Sequence, residues 1–232
     1  MRISIIIPVL NEEKRIAPLV RALINIKSVN DEIIVVDGGS TDSTVRKAKE
    51  LEALSVRVMS AEAGRAFQMN AGAAASRGDV LWFVHADSVI APSSLDDIRR
   101  AVMDGAAGGF FRLHFYDAPE TDRFLKFIER TSHTRAKDYC LIFGDQGLFL
   151  RRDIFNMLGG FAPLELMEDW EISRRLRELH RQGLIYALDT VIGTSARRYI
   201  KNGRLNTWLK MNFVKALYII GVPAKILREI YG

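Results

Sequence analysis

Four acidic groups at loop positions hold most of the chemical potential of this sequence: Glu12/Glu13, Asp37, Asp87 and Glu168/Asp169. Asp87 is the sharpest of them. It closes the triplet His85-Ala86-Asp87, directly after the apolar run Val80–Val84. An imidazole and a carboxylate two residues apart at a strand end can share one metal or phosphate site. Carboxylates gathered on one rim repel, unless a cation or the donors of a ligand compensate. The set therefore points to a metal and a polar ligand. Taken singly, each acid also has a plain structural use. Asp37 can be a turn former in Asp-Gly-Gly, and Glu13 can complement a helix dipole from the first turn.

The elements that must position these groups alternate in type. Ile3–Val9 reads as a buried strand that Pro8 ends. Ile16, Leu19, Val20, Leu23 and Ile24 then recur at helical spacing. Glu32–Val36 is a second strand, closing on Asp37-Gly38-Gly39-Ser40-Thr41-Asp42, where Ser40 or Thr41 can cap a helix carrying Val45, Ala48 and Leu51. A weaker strand at Leu54–Met59, a helix over Gly64–Arg77 with Gly78 as its C-cap, and the Asp79 strand complete a βαβαβαβ series. That alternation predicts a parallel sheet covered by helices, with the first three acidic groups along one rim beyond the strand ends. After residue 90 the pattern is mixed. A helix runs through about Met103, and Gly108–Tyr116 alternates as a half-buried strand. Glu120–Thr134 is helical, Ala136–Gly147 reads as a loop, and Leu148–Leu150 is a short strand. Glu168–Arg181 is a helix, Ile185–Ser195 a strand, and Asn202–Tyr231 helical with interruptions at Gly221 and Pro223.

The chain has 232 residues, 48% of them hydrophobic and 26% charged, ordinary for a globular protein of one domain plus an appendage. The net charge of +5 suits an anionic substrate, a nucleic acid or an anionic membrane surface. Cys140 is the only cysteine, so no internal disulfide forms, which fits a reducing compartment. The start does not read as a signal peptide, because Pro8, Asn11, Glu12, Glu13 and Lys14 break the apolar run. No stretch is apolar for long enough to span a bilayer.

Four motifs in order then resemble one family: SIIIPVLNEE (Ser4–Glu13), VVDGGSTDST (Val35–Thr44), the triplet at His85–Asp87, and GGF followed by EDWEISRRL (Glu168–Leu176). The chain resembles family-2-type glycosyltransferases of the GT-A fold over roughly its first 200 residues. The resemblance implies an α/β fold with a central, mostly parallel sheet flanked by helices and a C-terminal helical segment. It implies a transferase domain over 1–200, with its nucleotide-binding half at about 1–90 and its acceptor half at about 91–200, and a helical appendage over 201–232. It also implies an inverting transfer from a nucleotide-diphosphate sugar, a UDP-sugar first, to an acceptor hydroxyl, with a lipid or apolar acceptor among the candidates.

Carried over by position, Pro8, Asn11 and Glu13 border the nucleoside pocket, and Asp37 with Gly39 belongs to the base-recognising stretch. Asp87 matches the last acid of the family's Asp-x-Asp and binds a divalent metal, Mn²⁺ or Mg²⁺. His85 stands where the family commonly has Asp, as a second ligand or a ribose contact. Asp169 matches the catalytic base. Arg197 and Arg198 are placed to reach the diphosphate, since guanidinium forks match phosphate oxygens, and Arg65 and Asn70 to face the donor. Asp145, Gln146 and Glu168 are positions where an acceptor or donor sugar can be gripped. The partners implied are the nucleotide-diphosphate sugar and an unknown hydroxyl acceptor, with no nucleic acid. The C-terminal helices offer peripheral membrane contact or a homodimer. The expected location is cytoplasmic, with peripheral contact on the inner face of the membrane as an extension. The competing readings are a non-catalytic or scaffold protein on the same fold, or another nucleotide-using α/β transferase.

Overall fold

The computed structural model describes residues 1–52 and 55–231 of the chain, so Leu54, the expected start of the third strand, lies outside it. Its centre is an eight-stranded sheet in the order β3-β2-β1-β4-β7-β6-β8-β5. The strands are β1 (Ile3–Val9), β2 (Glu32–Asp37), β3 (Val56–Ser60), β4 (Val80–Phe83), β5 (Val89–Ile90), β6 (Gly108–Phe115), β7 (Phe149–Arg151) and β8 (Ile185–Thr194). The half β3-β2-β1-β4 is parallel throughout. The sheet turns mixed at β7, which runs antiparallel to both β4 and β6, while β6 and β8 pair in parallel.

The continuous apolar runs of β1 and β4 fit their burial on both faces. Ile3, Ile5, Ile7, Trp82 and Val84 enter one core with α1 (Ile16–Ile26), α2 (Thr44–Lys49) and α4 (Ser94–Met103). Ile6, Leu81 and Phe83 enter the other with α3 (Arg65–Ala75), α6 (Arg152–Met157) and α7 (Glu168–Arg181). The result is three layers, helix on sheet on helix.

Several expectations need correction. Pro8 does not end β1, which runs on to Val9. The Ile6 carbonyl faces β4 and the Val9 carbonyl faces the β2 side, so the Pro8 nitrogen falls on the β4 side, past the last pair Ile6↔Phe83. No ladder bond is lost there. Helix α5 (Arg123–Tyr139) continues well past Thr134, because Ile128, Ser132 and Ala136 keep a buried stripe, and it ends on Cys140 in the left-handed region. The stretch from Ala136 that reads as a loop therefore begins only at Cys140. Ser76, not Gly78, is the C-cap of α3. The C-terminal segment forms α8 (Arg197–Asn202), α9 (Arg204–Ile219) and α10 (Ala224–Tyr231), broken at Gly221 and Pro223 as the sequence indicates. Buried Val214 and Leu227 hold α9 and α10 against Leu166 and Met167, beside the start of α7.

Candidate active site

The ends of β1 and β2 form the first pole of the rim. Asp37 is buried and its carboxylate accepts from the backbone N–H groups of Gly39 and Ser40. Asn11 adopts a left-handed backbone, and its Oδ1 accepts from Thr41 N at 2.9 Å. Glu13 Oε2 accepts from Ser43 N, and Glu13 N donates to Asp42. Buried Gln68 of α3 donates to the carbonyls of both Val9 and Val36. Pro8, Asn11, Glu13, Asp37 and Gly39 thus stand together at two adjacent strand ends, and most of their polar groups tie one loop to the other.

The second pole is a cavity of about 610 Å³ beyond β4, with α7 on one side and α9 on the other. Arg65, His85, Asp87, Asp145, Asp169, Arg197 and Arg198 all line it. Asp169 is the second residue of α7, two after Met167, whose backbone is left-handed. Its Oδ1 accepts from Trp170 N at 2.7 Å and its Oδ2 from Gly144 N at 3.1 Å. Two backbone donors therefore fix the carboxylate with an edge toward the cavity. Gly144 is required where it stands, since a Cβ there would lie 2.5 Å from His85 Nε2. The single 3₁₀ turn Gly144–Gln146 is pinched between the strand end and the start of α7, and Ser173 Oγ holds Ile142 just before it.

Charge is poorly compensated at the cavity and just beneath it, where Glu168, which does not line the cavity, is buried beside a second, small pocket. Burial pushes the Asp145 carboxyl up to about 6, against the pull of Arg135, and its Oδ1 has no hydrogen-bond partner. Glu168 is 2% exposed; burial raises its pKa, although Arg65 Nε lies 2.7 Å from Oε1, and Oε2 is unpartnered. Burial and the nearby Arg65 drive His85 down to about 3, so the imidazole is neutral. Perturbed titratable groups converging on one cleft mark a candidate functional site.

Arg197 joins the two poles. Its Nη2 lies 2.9 Å from Glu12 Oε1 and 3.5 Å from Asp87 Oδ2. Sequence reasoning noted Glu12 only as part of a cluster, and the structure gives it this bridging contact. Arg198 instead bonds the Tyr231 hydroxyl and stacks on its ring, tying α8 to α10. Two expected donor or sugar contacts lie elsewhere. Asn70 donates to the Phe161 carbonyl and accepts from the Phe161 N–H, so its amide is spent on the Gly159-Gly160-Phe161 turn. Gln146 is fully buried beneath its own turn, where Oε1 accepts from Phe143 N. Arg135, Phe143, Trp208 and Lys215 also line the cavity and were not signalled by any motif. The only available sign was the helical stripe that puts Trp208 and Lys215 on α9.

Among the described residues no group of three or more His, Cys, Asp or Glu side chains converges on a point. A small hard cation needs only one or two protein carboxylates when phosphates and water complete its shell. Asp87 meets that need: its one ion pair is the 3.5 Å contact with Arg197, and it borders the cavity. His85 contributes less directly, since its Nε2–Cε1 edge packs against Gly144.

Comparison with known proteins agrees with this geometry. The profile of Glycosyl transferase family 2 matches residues 4–159. A probable glycosyltransferase, YdaM, of Bacillus subtilis (strain 168) is 27% identical over 198 residues, covering 77% of this chain and 47% of its own length. Glycosyltransferase GlyG of Streptococcus pneumoniae serotype 4 is 25% identical over 143 residues, covering 60% of this chain and 46% of its own. The chain thus spans about half the length of these curated relatives. Glucosyl-3-phosphoglycerate synthase of Mycobacterium tuberculosis, crystallised with Mn²⁺, UDP and glucosyl-3-phosphoglycerate, superposes with a TM-score of 0.66 at 20% identity, over 96% of this chain and 81% of that one. S. aureus TarS 1-349 in complex with UDP-GlcNAc superposes with a TM-score of 0.64 at 19% identity, over 82% and 56%. The GT-A fold expected from the motifs is the fold found.

Proposed function

The chain belongs to glycosyl transferase family 2, and on that premise we propose that it moves a sugar from a nucleoside diphosphate, UDP first, to an acceptor hydroxyl, with inversion. The observation that carries this is the shared cavity of Asp87 and Asp169, one carboxylate at the end of β4 and the other fixed by two backbone donors at the start of α7. Its volume falls in the range of small-molecule sites, roughly 300–1,000 Å³. The nucleoside lies along the β1/β2 rim beside Pro8, Asn11, Glu13, Asp37 and Gly39, and the diphosphate beside Asp87, Arg197 and Arg65. The solved neighbours bound to UDP with Mn²⁺, and to UDP-GlcNAc, support that class of donor.

Asp169 takes the proton from the attacking hydroxyl on the side of the sugar opposite the leaving group. Arg197 offers its guanidinium to the diphosphate as charge builds there. Asp87 would hold a divalent cation, which when bound supplies further positive charge against the leaving group. His85 stays neutral and sets the Gly144 turn, which holds Asp169. Asp145, short of a partner, accepts from a sugar or acceptor hydroxyl, while Glu168 lies beneath the cavity and anchors Arg65. The test is UDP release from a panel of UDP-sugars. Asp169→Asn should slow release by roughly 10²–10⁴ while leaving UDP affinity within about twofold. Undiminished turnover, or a weakened UDP complex, would remove Asp169 from the role of base.

A second reading concerns α9. Leu205, Leu209 and Phe213 share one exposed face of α9, with exposed Ile220 just past its end, while Trp208, Val214 and Leu217 pack inward. Residues 196–232 carry eight arginines and lysines against the single acid Glu229. An exposed apolar stripe with basic flanks suits the interface of an anionic bilayer. No helix among the described residues is long and apolar enough to cross a membrane. The chain should float with phosphatidylglycerol vesicles at low salt, and Leu209→Glu/Phe213→Glu should not. Equal flotation of both proteins would contradict the contact.

A further inference from the structure

Three cations of the cavity, Arg135, Arg198 and Lys215, form no ion pair among the described residues; Arg198 is held by Tyr231, and the other two share a single ring. Arg135 comes from α5 and Lys215 from α9, and both lie over the ring of Phe143, the guanidinium carbon at 4.0 Å and the ammonium nitrogen at 4.8 Å from its centroid. Among the described residues neither has a carboxylate within 4.0 Å. Arg135 spends Nε on the Leu141 carbonyl, and its Nη2 is buried with no acceptor. Lys215 makes no hydrogen bond. A ring face offsets part of a cation's lost hydration but accepts no conventional hydrogen bond. Burial and the neighbouring Arg135 push Lys215 down to about 8, against the pull of Asp145 and Asp169 across the cavity. Much of the cavity wall is apolar, with Leu166, Met167, Trp170, Trp208, Met211 and Val214 among its residues.

We propose that Arg135 and Lys215 seat a phosphate or carboxylate group of the acceptor, and that the acceptor body is apolar. The inference rests on the transfer reading above and adds the acceptor's chemical class. Arg197 and Arg65 stand toward Asp87 and Glu168 and are paired with acids, and Arg198 is occupied by the Tyr231 hydroxyl and ring; Arg135 and Lys215, brought by different helices, have neither an ion pair nor such a hydroxyl. An anion held between them leaves the rest of the molecule along the apolar wall, in the same cavity as Asp169. Buried charges require a paired partner, and an anionic acceptor supplies it only when bound.

The experiment is calorimetric titration of the full chain, saturated with UDP and Mn²⁺, with three probes: hexyl phosphate, hexanol and glycerol phosphate. Hexyl phosphate should bind at least tenfold more tightly than either of the others. Lys215→Met should bring it down to the level of hexanol, and Lys215→Arg should keep most of the advantage. Hexanol binding as well as hexyl phosphate, or a Lys215→Met protein that binds it undiminished, would overturn the anion seat. Glycerol phosphate matching hexyl phosphate would overturn the apolar body and assign a small soluble phosphate instead. If UDP itself does not bind, the transfer reading fails, and the same titration of the free chain still reads the anion seat separately.

Discussion

The two poles of the rim treat charge in opposite ways. At the β1/β2 end, Asn11 and Glu13 are met by backbone N–H groups of the facing loop and Asp37 by those of its own. At the β4/α7 end, Asp145 Oδ1, Glu168 Oε2 and Arg135 Nη2 are buried without partners. A satisfied polar group stabilises the fold by itself, whereas an unsatisfied buried one costs free energy until something binds it. The first pole therefore reads as a preformed ledge, and the second as a site whose polar groups are completed by ligand.

That contrast predicts mutations of opposite sign. The larger effect belongs to the cavity. Asp145 holds its proton more tightly folded than unfolded, since burial raises it to about 6 from an ordinary 3.8. Its contribution to stability is fully present below the ordinary value and is lost as pH rises through about 6. Asp145→Asn keeps the shape and removes that loss. The ligand-free protein should gain about 1–3 kcal/mol at pH 7.5, seen as a higher Tm, and almost nothing at pH 4. A Tm unchanged or lowered at pH 7.5 would mean that Asp145 is already compensated. The smaller effect belongs to the ledge. Asn11→Ala removes the acceptor for Thr41 N and puts alanine, which tolerates the left-handed region less well than asparagine, at a positive φ. It should destabilise by roughly 1–2 kcal/mol at every pH between 5 and 8. A stabilised Asn11→Ala protein would erase the distinction between the poles.

How much was legible in the sequence follows the same division. The continuous apolar runs at Ile3–Val9 and Val80–Val84 could only be buried strands, and their polar sequels had to lie on one rim. The breaks at Gly221 and Pro223 were equally plain, because each residue resists helix for a local reason. The end of α5 was not legible: Arg135, Lys137, Asp138 and Tyr139 look like loop, and only the buried side of Ala136 reveals the last turns. The short helix α6 is too brief to show a period. In the site, His85, Asp87 and Asp169 were readable from motifs and Asp145 from its position alone, and the structure gathers them around one cavity. Asn70 was misplaced because its partner, the Phe161 backbone, lies 91 residues away. The pairing of Arg135 with Lys215 was invisible for the same reason: two helices and a loop must fold before Phe143 brings them to one cavity.

The central claim is that the cavity is a donor and metal site centred on Asp87, and UDP binding tests it most directly. UDP is titrated into the wild-type chain and Asp87→Ala, each with and without Mn²⁺. The account predicts that Mn²⁺ tightens UDP binding to the wild type by at least about tenfold, about 1.4 kcal/mol, and does nothing for Asp87→Ala. Equal UDP affinity in the two proteins with Mn²⁺ present would contradict it.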